Sequence, residues 1–229
     1  MFRSLGIAYA GSAREDVQEL LTGIVSDTTL NMELSSMAAL SLGLIFVGTG
    51  NGDITSTILQ TMMERDETAM KDTFAKFMAL GLALLFLGKQ DAADATLETL
   101  KAIESPLAKQ ATVLVEGCAY SATGNVLKVQ EMLHYCNDHL DKEKEDDTFQ
   151  GFAALAIALV AMGEDIGSQM ALRTMNHLVR SFHDSMSLTM NVDALLRASS
   201  APCCSLGYWF VVCIQSFGDC LGHSEQIFP

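Results

Sequence analysis

Two textures of hydrophobicity alternate along the chain. Stretches such as LGLIFVG (42–48), LALLFLG (82–88) and IALVAMG (157–163) are apolar almost throughout. Each kind is followed, after a break, by an amphipathic run such as REDVQELLTGIV (14–25) or ADATLETLKAI (93–103). An apolar stripe at helical spacing predicts a helix with one buried face, whereas apolar residues all round predict a helix enclosed on every side. The pattern is therefore helix, tight turn, helix, with an enclosed inner helix and a half-exposed outer one.

The breaks recur. LGIAYAGSAREDV, LGLIFVGTGNGDI, LALLFLGKQDAAD, GCAYSATGNVLKV and IALVAMGEDIGSQ align on Gly11, Gly48, Gly88, Ala122 and Gly163, spaced 37, 40, 34 and 41 residues apart. A period of this size predicts a solenoid or toroid of stacked helical hairpins. Glycine suits the break because helices often end on a left-handed residue, which costs glycine least. In the fourth unit Ala122 replaces glycine, and the following Thr-Gly-Asn is expected to carry the turn. Ser12 and Glu15 have the spacing of a capping box for the first outer helix. Five residues before each break stand Gly6, Gly43, Ala83, Gly117 and Ala158, small enough to let a neighbouring helix approach closely. Residues 138–150, DHLDKEKEDDTFQ, are the most charged stretch and read as a solvated loop.

Composition narrows the function. With 14 Lys+Arg against 28 Asp+Glu, the formal charge of the 229 residues is −14, which argues against nucleic acid and favours a basic protein partner. No secretory signal opens the chain, and apolar runs such as 77–88 fall short of the roughly 20 residues needed to span a bilayer, so a soluble protein without a membrane partner is expected. Of six cysteines, Cys203, Cys204, Cys213 and Cys220 crowd the end while Cys118 and Cys136 stand alone. They read as free thiols, without zinc spacing or a disulfide framework.

Catalysis finds little support. Cys118 and His134 form a conceivable pair, but Cys118 sits in a small-residue inner helix where a thiol behaves as an inert apolar group. His134, His139, His177, His183 and His223 lack metal-ligand spacing. GTGNG (48–52) lacks the Lys-Ser/Thr ending of a phosphate loop and reads as a turn. No enzyme, metal or cofactor is expected. Met62, Met63, Met78, Met132 and Met162 are assigned to the core.

The outer helix after GTGNG is less easily assigned to packing. If it starts at Asp53, with that carboxylate as its cap, then Asp53, Gln60 and Glu64 stand at i, i+7 and i+11 on one face. Ile54, Ile58, Thr61 and Met62 turn inward, and Leu59 and Met63 flank the polar face. The result is an outward acidic stripe, extended by Asp16 and Glu19 on one side and Asp91 on the other. The plain alternative is a solenoid surface that is polar only because water is there.

The strings LGIAYAGS, VGTGNGDITSTILQ, GCAYSATGNVLKVQEMLH and IALVAMGEDIGSQMALRTMNHLVR resemble the proteasome/cyclosome repeats of the large non-ATPase scaffold subunits of the proteasome regulatory particle. The similarity runs from about Leu5 to Arg180, and NGDIT and GNVLKVQ resemble the subunit that receives ubiquitin-like domains rather than its paralogue. The resemblance implies an all-α solenoid, part of a toroid, with the repeat array over 1–180. It implies a fragment of a longer subunit, too short to close the family's double ring, with an acidic loop shorter than in many relatives. It further implies a non-catalytic scaffold in cytoplasm and nucleus. Its expected partners are ubiquitin, the ubiquitin-like domains of shuttle receptors, a proteasome-associated deubiquitinase and the proteasomal ATPase subunits. Family recognition residues carry over to Asp53, Gln60 and Glu64, with Gln60 standing where some relatives have a carboxylate. A general helical-repeat adaptor, holding an unrelated peptide in its concave face, is the competing class, and a thiol hydrolase is the third.

From Ser181 the glycine spacing and the resemblance stop. Codons compatible with CIQSFGDCLGHSEQIF, read one base later, can give a string close to the family's next repeat. The 181–229 tail is thus expected to be a frame-shifted or alternatively spliced terminus.

Overall fold

The computed structural model describes residues 2–103, 105–137 and 148–162, together with 169 and 173. Every regular element among them is helical. In chain order these are α1 (Phe2–Ala8), α2 (Glu15–Ser26), α3 (Met32–Ile45), α4 (Gly52–Glu64), the single turn α5 (Glu67–Met70), α6 (Ala75–Leu85), α7 (Asp94–Ala102), α8 (Pro106–Ala119), α9 (Val126–Asn137) and α10 (Thr148–Ala161). A 3-10 turn at Gln90–Ala93 leads into α7.

The apolar stretches become the inner row. Helices α1, α3, α6, α8 and α10 stack in that order, each on the next. Leu42, Ile45, Met78, Leu82, Leu84 and Leu85 are wholly or almost wholly enclosed. The amphipathic stretches form the outer row α2, α4, α7 and α9, and each of these packs on the inner helix that follows it, α2 on α3, α4 on α6, α7 on α8 and α9 on α10. An outer helix thus belongs in space to the next unit, which welds consecutive units together.

The breaks do more than reverse the chain. Gly11, Gly48, Gly88 and Ala122 all have left-handed backbone, at φ +71°, +65°, +72° and +58°. A second left-handed residue follows two positions later in each turn, at Ala13, Gly50, Gln90 and Gly124. This double left turn points backbone N–H groups away from their own helix. The first donates to the next inner helix in all four turns: Gly11 to Leu44 O (3.0 Å), Gly48 to Leu84 O (3.0 Å), Gly88 to Cys118 O (3.0 Å) and Ala122 to Leu159 O (2.9 Å). The second follows suit at Ala13 to Ile45 O (3.1 Å), Gly50 to Leu85 O (2.8 Å) and Gly124 to Val160 O (2.9 Å). The acceptors lie in the last turn of an inner helix, where carbonyls lack an intrahelical partner. Each bond therefore pairs a turn N–H with a carbonyl at a helix end, although Leu84 O and Cys118 O also accept from Leu87 N and Ser121 N of their own turns.

The small residues before each break meet their expected role, against a register the sequence did not disclose. A Cβ on Gly43 would lie 2.3 Å from the carbonyl oxygen of Gly81, and one on Gly6 would lie 2.8 Å from the Cα of Ser41. One on Gly117 would lie 2.5 Å from the Cβ of Ala156. Ser41, Gly81 and Ala156 each stand seven residues before the next break, so the fifth position of one unit packs on the seventh of its successor.

Several expectations change. Arg14, not Ser12, caps α2, without a side-chain bond, and the Ser12 hydroxyl donates to Tyr9 O at 2.7 Å. Because α2 begins at Glu15, that residue is the first of the helix and not the third, so the capping-box spacing from Ser12 does not apply. Asn51 rather than Asp53 caps α4. Leu59 does not flank the polar face but is buried, while Met63 is 65% exposed rather than packed in the core. Met62, Met78 and Met132 are buried as expected. Residues 148–150 of the expected loop begin α10; the rest of it, the Gly163 break, and the 181–229 tail lie outside the described residues.

Three substitutions are read out in urea or thermal unfolding. Gly43→Val, whose side chain meets backbone, is expected to cost at least about 3 kcal/mol, whereas Gly23→Ala, with nothing within 4 Å in the middle of α2, is expected to gain about 0.5–1 kcal/mol. Ala122→Gly relieves the left-handed strain of an L-residue and is expected to stabilise by about 1 kcal/mol.

Candidate functional site

The outer helix α4 begins where the left turn releases the chain. The Asn51 side-chain oxygen accepts from the N–H groups of Asp53 (3.0 Å) and Ile54 (3.4 Å), filling two of the open donors of the first turn. Asp53 keeps its carboxylate free of that duty, beside the positive end of the helix. Ile54, Ile58, Thr61 and Met62 are buried, so the face carrying Asp53, Gln60 and Glu64 is turned to solvent and all three side chains are exposed. Gln60 Nε2 donates to Glu64 Oε1 at 2.7 Å, one turn apart. That bond orients the Glu64 carboxylate and leaves its charge in place.

Helix α2 lies beside α4 and runs parallel to it. Near the two N-termini Asn51 Nδ2 meets Gln18 Oε1 at 3.4 Å; near the two C-termini the Thr61 hydroxyl lies 3.2 Å from Val25 O. Asp16 and Glu19 on α2 are exposed. Their contributions differ. Arg14 pairs with Asp16 through Nη2–Oδ2 at 2.7 Å and Nε–Oδ1 at 3.1 Å, and this hydrogen bond, then burial opposing it and the guanidinium charge, holds the Asp16 carboxyl below its ordinary value. Asp16 therefore presents a neutralised pair, while Glu19 stands as a bare charge as far as its side-chain bonds go.

Asp91 is not part of this pair of helices. It sits in the 3-10 turn before α7, where it accepts from the Tyr120 hydroxyl of α8 at 3.1 Å. Its neighbourhood is a separate polar cluster between α8 and α9. Lys128 binds the buried Glu116 carboxylate and, at 3.2 Å, Glu131, and its ammonium lies 5.1 Å from the centre of the Tyr120 ring. Burial lifts the Glu116 carboxyl, with the Lys128 hydrogen bond pulling it back. Burial works against the Lys128 ammonium, but Glu116 and Glu131 outweigh it and the net shift is upward. The arrangement braces α9 against α8.

Leu20 is the residue that sequence reasoning missed. It is 61% exposed on α2, and Met63 is 65% exposed on α4. Val17, Leu21 and Val25 make the inward stripe of α2 at i, i+4 and i+8, which leaves Leu20 one position out of phase on the water side. That misplaced apolar residue was the available signal. Glu19 and Leu20 on α2, and Asp53, Glu64 and Met63 on α4, are thus all exposed.

Cys118 and Cys136 are buried, and burial pushes both thiols up to about 12, so neither is a thiolate near neutral pH. Among the described residues no group of three or more His, Cys, Asp or Glu side chains could hold a metal ion, and no helix is long and apolar enough to cross a membrane.

Comparison with known proteins agrees with this frame. The proteasome/cyclosome repeat matches residues 37–68, from α3 through α4 into α5. The chain is 54% identical over 197 residues to the 26S proteasome regulatory subunit rpn1 of Schizosaccharomyces pombe, covering 85% of this chain and 22% of that protein. It is 45% identical over 179 residues to the 26S proteasome regulatory subunit rpn-1 of Neurospora crassa, covering 76% and 20%. With the 26S proteasome non-ATPase regulatory subunit 2 of Dictyostelium discoideum it shares 47% identity over 176 residues, covering 77% and 19%. The chain thus spans about a fifth of the length of the curated relatives it matches. Stacked hairpins, the matched repeat and these identities over most of its residues converge: the chain belongs to the proteasome/cyclosome-repeat family of 26S proteasome regulatory subunits.

Proposed function

We propose that this chain is a non-catalytic scaffold segment of the proteasome regulatory particle, and that its outer row docks ubiquitin and the ubiquitin-like domains of shuttle receptors. A proteasome-associated deubiquitinase would use the same kind of surface, and the ATPase subunits would support the scaffold. The observation that carries the reading is the pair of parallel outer helices α2 and α4. They expose the carboxylates of Glu19, Asp53 and Glu64 and the apolar side chains of Leu20 and Met63.

The physics of such a surface is complementary to a small folded domain with a basic-rimmed apolar patch. Leu20 and Met63 offer apolar area that is wet in the free chain, and its removal from water favours association. Carboxylates spaced along a helix face steer and orient a cationic partner, at a strength that salt screens. Rigid inner helices beneath the platform mean that little ordering free energy is lost on binding.

Reversing two charges tests this. The doubly substituted chain Asp53→Arg, Glu64→Arg is expected to bind an isolated ubiquitin-like domain about tenfold or more weakly, by calorimetry or fluorescence anisotropy. Wild-type affinity is expected to fall as sodium chloride is raised. Equal affinity for both chains, with helix content unchanged by circular dichroism, would remove the site.

A further inference from the structure

We infer that Asn51, Thr61 and Arg65 are positioning residues: they lock α4 to α2 in one axial register, so that a single partner meets the carboxylates of both helices at a set spacing. The inference rests on the docking reading above and concerns residues that do not themselves face the partner.

The ties are polar and run the length of the pair. At the N-terminal end the Asn51 side chain, already capping α4, reaches Gln18 of α2. Thr61 is 2% exposed, and its hydroxyl lies 2.8 Å from Thr57 O and 3.2 Å from Val25 O, so one proton is shared between its own helix and its neighbour. At the C-terminal end Arg65, the C-cap of α4, spreads its guanidinium over the segment that leaves α2. Nη1 donates to Leu30 O at 3.1 Å, and Nη2 to Asp27 O at 3.1 Å and to the buried Ser35 Oγ at 2.6 Å. Val25 O, Asp27 O and Leu30 O lie at or beyond the end of α2, where carbonyls have no helical partner of their own.

These bonds do what apolar packing cannot. Burial of Leu21, Val25, Ile54 and Ile58 holds the helices together, but the hydrophobic effect is non-directional and tolerates sliding. A slip of one helical turn would displace Asp53 and Glu64 by about 5.4 Å relative to Glu19. Hydrogen bonds at both ends penalise that slip because it would strand buried donors and acceptors. Arg65 is adjacent in sequence to Glu64, so the clamp acts directly on the end of the stripe. A lysine could supply the charge at this place but not the planar fork that reaches three acceptors.

The test uses the whole chain and an isolated ubiquitin-like domain as probe. Affinity is measured for wild type, Thr61→Val, Thr61→Ser and Arg65→Lys, each on its own and combined with Glu19→Arg and Glu64→Arg in double-substitution cycles. In the wild-type background Glu19→Arg and Glu64→Arg are expected to be coupled by about twofold or more. Thr61→Val and Arg65→Lys are expected to weaken binding severalfold and to bring that coupling to unity, while Thr61→Ser, which keeps the hydroxyl, restores both. Affinity and coupling that stay at wild-type values in Thr61→Val and Arg65→Lys overturn the inference. So does an affinity loss that merely follows the melting temperature with coupling intact, since that is a stability effect alone. Should the wild-type chain itself fail to bind the domain, the docking reading falls and takes this inference with it.

Discussion

The bond from a turn N–H to the last carbonyls of the next inner helix is the constraint on which the array depends. Helix ends are where a helical protein risks buried, unpaired backbone groups. Here the C-terminal carbonyls of one unit are satisfied by the turn of the unit before it, through Gly11, Gly48, Gly88 and Ala122. Capping and stacking thereby become the same interaction. A unit that misstacks also loses its cap, so the backbone itself specifies register, independently of side-chain shape. Close approach follows from the same geometry: with backbones drawn together at the turns, the helices below must meet with almost no side chain between them, as Gly43 and Gly81 do.

Much of this was legible in the sequence because the demand is steric. A double left turn admits few residues cheaply, so glycine or a small residue recurs there at repeat spacing. The contact register admits only small side chains, so Gly6, Gly43, Ala83, Gly117 and Ala158 stand out against the leucines around them. What stayed hidden was relational. Nothing about Ser41, Gly81 or Ala156 taken singly says that it faces the small residue of the preceding unit. The second left-handed position is occupied by Ala13 and Gln90 as well as by glycine; at Ala13 the bond to Ile45 O helps offset a strain of about 1–2 kcal/mol. Side-chain identity therefore advertised the first position and concealed the second.

The candidate site divides along the same line. Periodicity placed Asp53, Gln60 and Glu64 on one exposed face of α4, and the inward residues Ile54, Ile58, Thr61 and Met62 beneath it. It misassigned the cap, since Asn51 and Asp53 are both good caps and only the position of the turn decides between them. Asp91 lies on neither α2 nor α4: it stands in the 3-10 turn before α7, where it accepts from the Tyr120 hydroxyl. Leu20 was passed over because a lone exposed leucine is unremarkable. Only when α2 is seen beside α4 does it pair in character with Met63.

Two kinds of register thus coexist in the molecule, and they are fixed by different chemistry. The inner row is set by main-chain bonds that any sequence with the right turn would make, which is why strongly apolar and poorly distinguished helices can stack without ambiguity. The outer row has no such ladder. Its helices rest on the inner row mainly through apolar packing, with polar contacts such as Lys128–Glu116 and Arg65–Ser35 added, and the alignment of α4 on α2 is supplied by Asn51, Thr61 and Arg65. Separating the two allows the solvent face of an outer helix to vary in charge and apolar character without disturbing the stack beneath it.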